Sequence, residues 1–126
     1  MQSALYKYVS DNIITLNTNI YRKIDLSRAD YESIFNALYD TGSYELEFNK
    51  LQSFSKNKHR VFTFGGAKQD YIIVQINAGV SVHGLDISNI SVYPQEAEVL
   101  LGKNKFTAYY DDIDWTTDNH LILCVK

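Results

Sequence analysis

The chain has 126 residues, 45% of them hydrophobic and 21% charged, with a formal net charge of −3 and a pI near 5.5. That length suits one domain, residues 1–126, able to bury an ordinary core, and the acidic balance argues against a general nucleic-acid or anionic-membrane binder. The opening MQSALYKYVSDN has neither a long apolar run nor a small-residue cleavage site, and no stretch approaches the ~20 apolar residues that span a bilayer. No signal peptide is therefore expected, and the chain reads as cytoplasmic, in its own cell or delivered into another. Ten tyrosines supply surface that is both apolar and hydrogen-bonding, which suits a ligand-binding wall and a plain core equally.

In chain order, Ser3 to Leu16 is weakly amphipathic and predicts a first helix, with Leu5, Tyr8, Val9, Ile13 and Leu16 available for one face. TNIYRKI (18–24) reads as a short strand. Ser27-Arg28-Ala29-Asp30 has the form of a helix cap, a hydroxyl followed by an acid in the first turn. Tyr31, Ile34, Phe35, Leu38 and Tyr39 then repeat at the spacing of a helix lying on a core, and Gly42 ends it. Tyr44 to Leu51 alternates in part as a strand, and Ser55 to Phe64 suits a short helix. DYIIVQIN (70–77) predicts a buried strand, Ala78-Gly79 a turn and Val80 to Leu85 an extended piece. Gly102-Lys103-Asn104-Lys105 predicts a hairpin turn into FTAYY, and Thr117-Asp118-Asn119 a turn into the last strand, HLILCV. Helices first and strands after define an α+β class with an antiparallel-rich sheet.

Metal and redox chemistry find little support. Cys124 is the single cysteine, so it has no internal disulfide partner and reads as a buried, inert thiol. His59, His83 and His120 are far apart and lack ligand spacing. Asp111, Asp112 and Asp114 lack the glycine-containing calcium-loop pattern and read as a polar strand end. No metal is expected.

YPQEAEVLL (93–101) is the unusual stretch. Side chains two apart in a strand share a face, ~6.5–7 Å from one another, so Glu96 and Glu98 would stand together with Ala97 facing away. Two carboxylates held so close cost stability unless something uses them. Alone, such a pair reads as an edge strand whose charges deter aggregation. Two further segments change that reading. Ile20-Tyr21-Arg22 places an arginine at the end of a predicted strand, and Leu51-Gln52-Ser53-Phe54-Ser55 places two hydroxyls at i and i+2 where another begins.

The order Arg, then Ser-x-Ser, then Glu-x-Glu resembles the ADP-ribosyltransferases of the R-S-E class, which include clostridial actin-modifying toxins and arginine-specific vertebrate and phage enzymes. The likeness runs from about Tyr21 to Phe106 and is strongest over ISVYPQEAEVLLGKNKF (90–106). Ser53 lies 31 residues after Arg22 and 45 before Glu98, as a compact member would need. Two positions depart from the family: Lys23 stands where glycine often follows the arginine, and Phe54 where threonine separates the serines.

The resemblance implies two perpendicular, antiparallel-rich β-sheets with flanking helices and NAD, as co-substrate, in the cleft between them. It makes Glu98 the catalytic carboxylate and Glu96 the group facing the nucleophile, where glutamate goes with arginine acceptors. Gln95 is one place off that register. Arg22 would grip the NAD pyrophosphate or adjoining ribose. Ser53 would orient Glu98 or the nicotinamide ribose, and Ser55 would hold the strand start. Phe64, eleven residues after Ser53, matches the aromatic that stacks on nicotinamide, with Phe62 the neighbouring candidate. Tyr93 and the GGAKQD loop (65–70) would touch the protein target. Lys56, Lys58, His59 and Arg60 form a basic cluster nearby, read as a solvated helix face or a contact to an acidic target or a phosphate. The expected function is mono-ADP-ribosylation of a protein, at arginine, by a monomeric phage or bacterial effector. An NAD glycohydrolase on the same fold and a non-catalytic binding module are the alternatives. Trp115, the only tryptophan, is expected in the core or on the rim.

Overall fold

A computed structural model describes residues 3–63, 70–90 and 97–126. Among these the elements are α1 (Ala4–Asp11), β1 (Ile13–Thr15), β2 (Ile20–Leu26), α2 (Arg28–Thr41), β3 (Ser43–Phe48) and β4 (Gln52–Ser55). They continue with α3 (Lys58–Thr63), β5 (Asp70–Ile76), β6 (Ser81–Asp86), β7 (Glu98–Leu101), β8 (Asn104–Trp115) and β9 (Leu121–Val125).

Helix α2 forms as its sequence predicts. The Ser27 hydroxyl accepts from the Asp30 N–H at 3.1 Å, and Gly42 closes the helix in the left-handed region, φ 82°, where glycine meets no Cβ penalty. Tyr31, Ile34 and Leu38 are its buried stripe. Helix α1 is shorter than its weak periodicity suggests. Ser3 caps it and it ends at Asp11, because Ile13–Thr15 leaves to pair with β6. Its buried face is Tyr6 and Val9, whereas Leu5, Tyr8 and Ile13 are exposed.

The strands run in the order β1-β6-β7-β4-β2-β5-β9-β8-β3, antiparallel throughout except for β5 with β9. Strand β5 shows why the sheet centre is nearly continuous in apolar residues. Ile72, Val74 and Ile76 face the main core with α2, while Tyr71 and Ile73 face a smaller core with Val61 and Phe62 of α3; period-two alternation thus buries both faces. Trp115 is on the rim, 46% exposed and tilted against Phe35.

Gly102-Lys103 does not make the expected hairpin. Strand β7 pairs with β4 and β6, whereas β8 pairs with β9 and β3, so this turn carries the chain from one part of the sheet to the other. Close packing directs it. A Cβ on Gly102 would lie 2.4–2.8 Å from Ser10 atoms, and the Ser10 hydroxyl accepts from the Lys103 N–H at 2.8 Å. The buried Asn104 side chain bonds both the N–H and the carbonyl of His83, replacing ladder bonds that the departing strand gives up. The Thr117–Asn119 turn does join a hairpin, with β8 and β9 paired across it.

One joint in this order is incomplete. β2 pairs with β5 through seven residue couples, Ile20↔Ile76 to Leu26↔Asp70. It pairs with β4 through one, Tyr21↔Ser55. The sheet thus divides into two parts, β1-β6-β7-β4 and β2-β5-β9-β8-β3, hinged at Tyr21 and open beside it.

Candidate active site

The opening beside Tyr21 is a cleft of about 260 Å³ lined by Tyr21, Arg22, Lys23, Ser53, Phe54, Ser55, Arg60, Val61 and Glu98. Strand pairing brings its parts together. Ser55 stands opposite Tyr21 on one side and opposite Glu98 on the other, so three segments far apart in sequence converge at one residue.

Arg22, Ser53 and Glu98 form a connected set. The Ser53 hydroxyl donates to Glu98 Oε1 at 2.6 Å, which fixes one carboxylate oxygen. Arg22 Nη1 donates to the Ser53 carbonyl at 2.8 Å, bridging the gap where backbone pairing has lapsed. Arg22 Nε is buried with no hydrogen-bond partner among the described residues, and burial lowers the guanidinium pKa from its ordinary value. A buried donor left unpaired costs about 1–3 kcal/mol, a cost that an anionic ligand oxygen would remove. Phe54 is 1% exposed, so the residue between the two serines turns into the core.

Ser55 lines the cleft, and its hydroxyl accepts from the Asn57 N–H at 3.0 Å; Asn57 in turn accepts from the Arg60 N–H and starts α3. Arg60 and Lys23 add positive charge to the lining. Among the described residues, three cations and one carboxylate suit a ligand that is anionic in one part and develops positive charge in another. Lys23 and Val61 escaped the reading of site residues from sequence, although Lys23 adjoins Arg22 and Val61 adjoins the basic cluster. Phe62 packs edge-on against Tyr21, centroids 5.8 Å apart, and is absent from the cleft lining. Lys56, from the same cluster, pairs with Asp86 at 2.6 Å.

The expected shared face for Glu96 and Glu98 involves a residue, Glu96, outside the described ones. Among the described residues β7 begins at Glu98, and Ala97, just before it, has φ 44°. Glu96, Phe64 and Tyr93 lie outside the described residues, as does the 65–69 part of the loop before β5.

No protein-family model matches the chain, and no curated protein does. Solved structures match in fold. One is the ADP-ribosyltransferase HopU1 of Pseudomonas syringae pv. tomato DC3000, 23% identical over 86% of this chain and 43% of that one, TM-score 0.60. Another is the enzymatic component C2-I of the C2 toxin from Clostridium botulinum, 17% identical over 96% of this chain and 33% of that one, TM-score 0.60. A third is C3stau2 from S. aureus, solved with NAD, 14% identical over 96% of this chain and 66% of that one, TM-score 0.54. The chain has the ADP-ribosyltransferase fold. It spans from 33% to 66% of the length of these three proteins. Among the described residues no helix is long and apolar enough to cross a membrane.

Proposed function

We propose that the chain, as one catalytic domain, is a mono-ADP-ribosyltransferase that cleaves NAD and transfers ADP-ribose to arginine on a protein, releasing nicotinamide. The observation that carries this reading is the Arg22–Ser53–Glu98 chain of hydrogen bonds set in the seam of this fold.

Nicotinamide is cationic in NAD and leaves neutral, so no general acid is required. Positive charge develops on the ribose as an oxocarbenium ion, the species that glycosidases also stabilise. Glu98, oriented by Ser53, would lie beneath that ribose, accept a hydrogen bond from its 2′-OH and favour the transition state over the ground state. Arg22 would hold the pyrophosphate or adjoining ribose, with its unpaired Nε supplying a further donor. Ser55 would keep the start of α3 in place. Glu96 would orient the guanidinium acceptor, which is a poor nucleophile with a pKa above ~12. Phe64 would stack on nicotinamide, and Tyr93 would meet the target protein.

The test is labelled NAD incubated with the protein and a cell lysate, followed by mass spectrometry of the labelled bands. Label on arginine supports the proposal. Free ADP-ribose without labelled protein makes the chain a glycohydrolase, and neither product makes it a binding module. Glu96→Gln is expected to keep nicotinamide release into water while losing transfer to arginine. Equal loss of both activities would remove Glu96 from the acceptor step.

A further inference from the structure

Strand β7 lies between β4 and β6, and its first residue is Glu98. Regular pairing ends there on both sides, at Ser55↔Glu98 and at Asp86↔Val99. One more bond continues on each side. The Lys56 N–H donates to the Ala97 carbonyl at 3.0 Å, and the Ile87 N–H donates to the Glu98 carbonyl at 3.1 Å. Ala97 itself is left-handed, φ 44°, a conformation that a residue with a Cβ keeps only where its surroundings over-determine it.

An ion pair, Lys56 with Asp86, ties those surroundings together. Lys56 Nζ donates to Asp86 Oδ2 at 2.6 Å and to the Ser88 hydroxyl at 3.2 Å. Asp86 Oδ1 accepts from the Ser88 N–H at 2.9 Å and from its hydroxyl at 2.6 Å. Lys56 directly follows β4 and Asp86 ends β6, so the pair reaches from one neighbour of β7 to the other at the level of Glu98. The Lys56 side chain is 22% exposed and that of Asp86 35%, and the two share further hydrogen bonds with Ser88, unlike an isolated surface pair. Neither residue lines the cleft; both line a separate cavity of about 200 Å³ with Ile14, Leu16 and Ile20.

We propose that Lys56 and Asp86 brace the start of β7 from behind the cleft and so position Glu98 for the reaction. This rests on the reading of Glu98 as the carboxylate beneath the ribose. Both are positioning residues, acting through backbone that they hold and touching no substrate. Ser53 would fix the Glu98 carboxylate from the front, and the brace would fix its main chain from the rear. Small displacements of a reacting group are costly, on the order of 10²-fold in rate for about 1 Å.

The experiment compares Lys56→Met, Asp86→Asn and the double variant with wild type, using the whole chain. It measures kcat and KM for nicotinamide release from NAD, and amide hydrogen exchange at residues 97–99. The expected result is a fall in kcat of about 10- to 100-fold, with KM for NAD little changed. Exchange should quicken at 97–99 but not along β5. Lys56→Arg should recover most of the rate, and the double variant should be no worse than either single one, because the pair acts as a unit. Asp86→Asn keeps the side-chain shape and carries the same test if Lys56→Met does not fold. Unchanged kcat, or a loss expressed in KM with exchange quickened throughout, would overturn the brace. If wild type releases no nicotinamide, the active-site reading fails separately. Exchange then decides: faster exchange confined to 97–99 upholds the brace, and unchanged exchange overturns it.

Discussion

Strand β2 has two edges built to different standards. Along one, seven residue couples join it to β5, and Ile20, Ile73, Val74 and Ile76 have no exposed surface. Along the other, one couple joins it to β4, and the next link is a side chain, Arg22 to the Ser53 carbonyl. The complete ladder supplies rigidity. The incomplete one supplies a gap with an unpaired buried donor and a held carboxylate. Under the proposed function, stability and chemistry are separated across the width of a single strand, and adjacent residues serve one or the other.

Substituting adjacent residues should expose that separation. Phe54 is buried against Phe48, ring centroids 5.9 Å apart, whereas Ser53 faces the cleft. Phe54→Ala should destabilise the fold by about 3–5 kcal/mol, read as a lowered urea midpoint. Ser53→Ala should leave the midpoint almost unmoved while lowering the rate of NAD cleavage. Comparable loss of stability in both would erase the distinction between the two faces of β4.

Arg22 tests the bridge itself. Arg22→Ala should weaken NAD binding by about 1.5–3 kcal/mol, the worth of a hydrogen bond to a charged group. Arg22→Lys should recover only part, because the planar fork is lost. Coincident calorimetric titrations of wild type and Arg22→Ala would remove Arg22 from the NAD site, and a collapsed melting temperature would make it structural.

The smallest effect concerns acid. Burial pushes the Asp86 carboxyl up, but its hydrogen bonds from Lys56 and Ser88 outweigh this and hold its pKa below the ordinary aspartate value of 3.8. A depressed folded-state pKa contributes stability that is present above the unfolded value and lost as pH falls through the folded one. The stability difference between wild type and Asp86→Asn should therefore be constant near neutrality and shrink as pH drops below about 4. A difference that persists unchanged to pH 2 would mean that the Asp86 charge contributes nothing.

What was legible in the sequence follows from how local each signal is. Helix α2 has its cap, stripe and terminal glycine within one continuous stretch, and the β8–β9 turn is equally local. Gly102-Lys103 looked like a hairpin because turn chemistry says that the chain bends, not which strand it joins next; Ser10 and His83, far away in sequence, decide that. Arg22, Ser53 and Glu98 could be picked out through a family resemblance, whereas strand register and two side-chain hydrogen bonds bring them together. The Glu96–Glu98 relation rested on an assumed extended backbone, and Glu96 lies outside the described residues. Lys56 was read only as part of a basic cluster, since no sequence pattern links it to Asp86, 30 residues on.

The central claim is that Glu98 stabilises positive charge on the ribose of NAD. The direct measurement is nicotinamide release from NAD by wild type and by Glu98→Gln, with circular dichroism and urea midpoints taken on the same samples. An amide keeps the shape and can still hydrogen-bond, but it cannot balance the charge, so release should fall by on the order of 10²–10³ or more with the fold intact. Near-normal release by a folded Glu98→Gln variant would contradict the account.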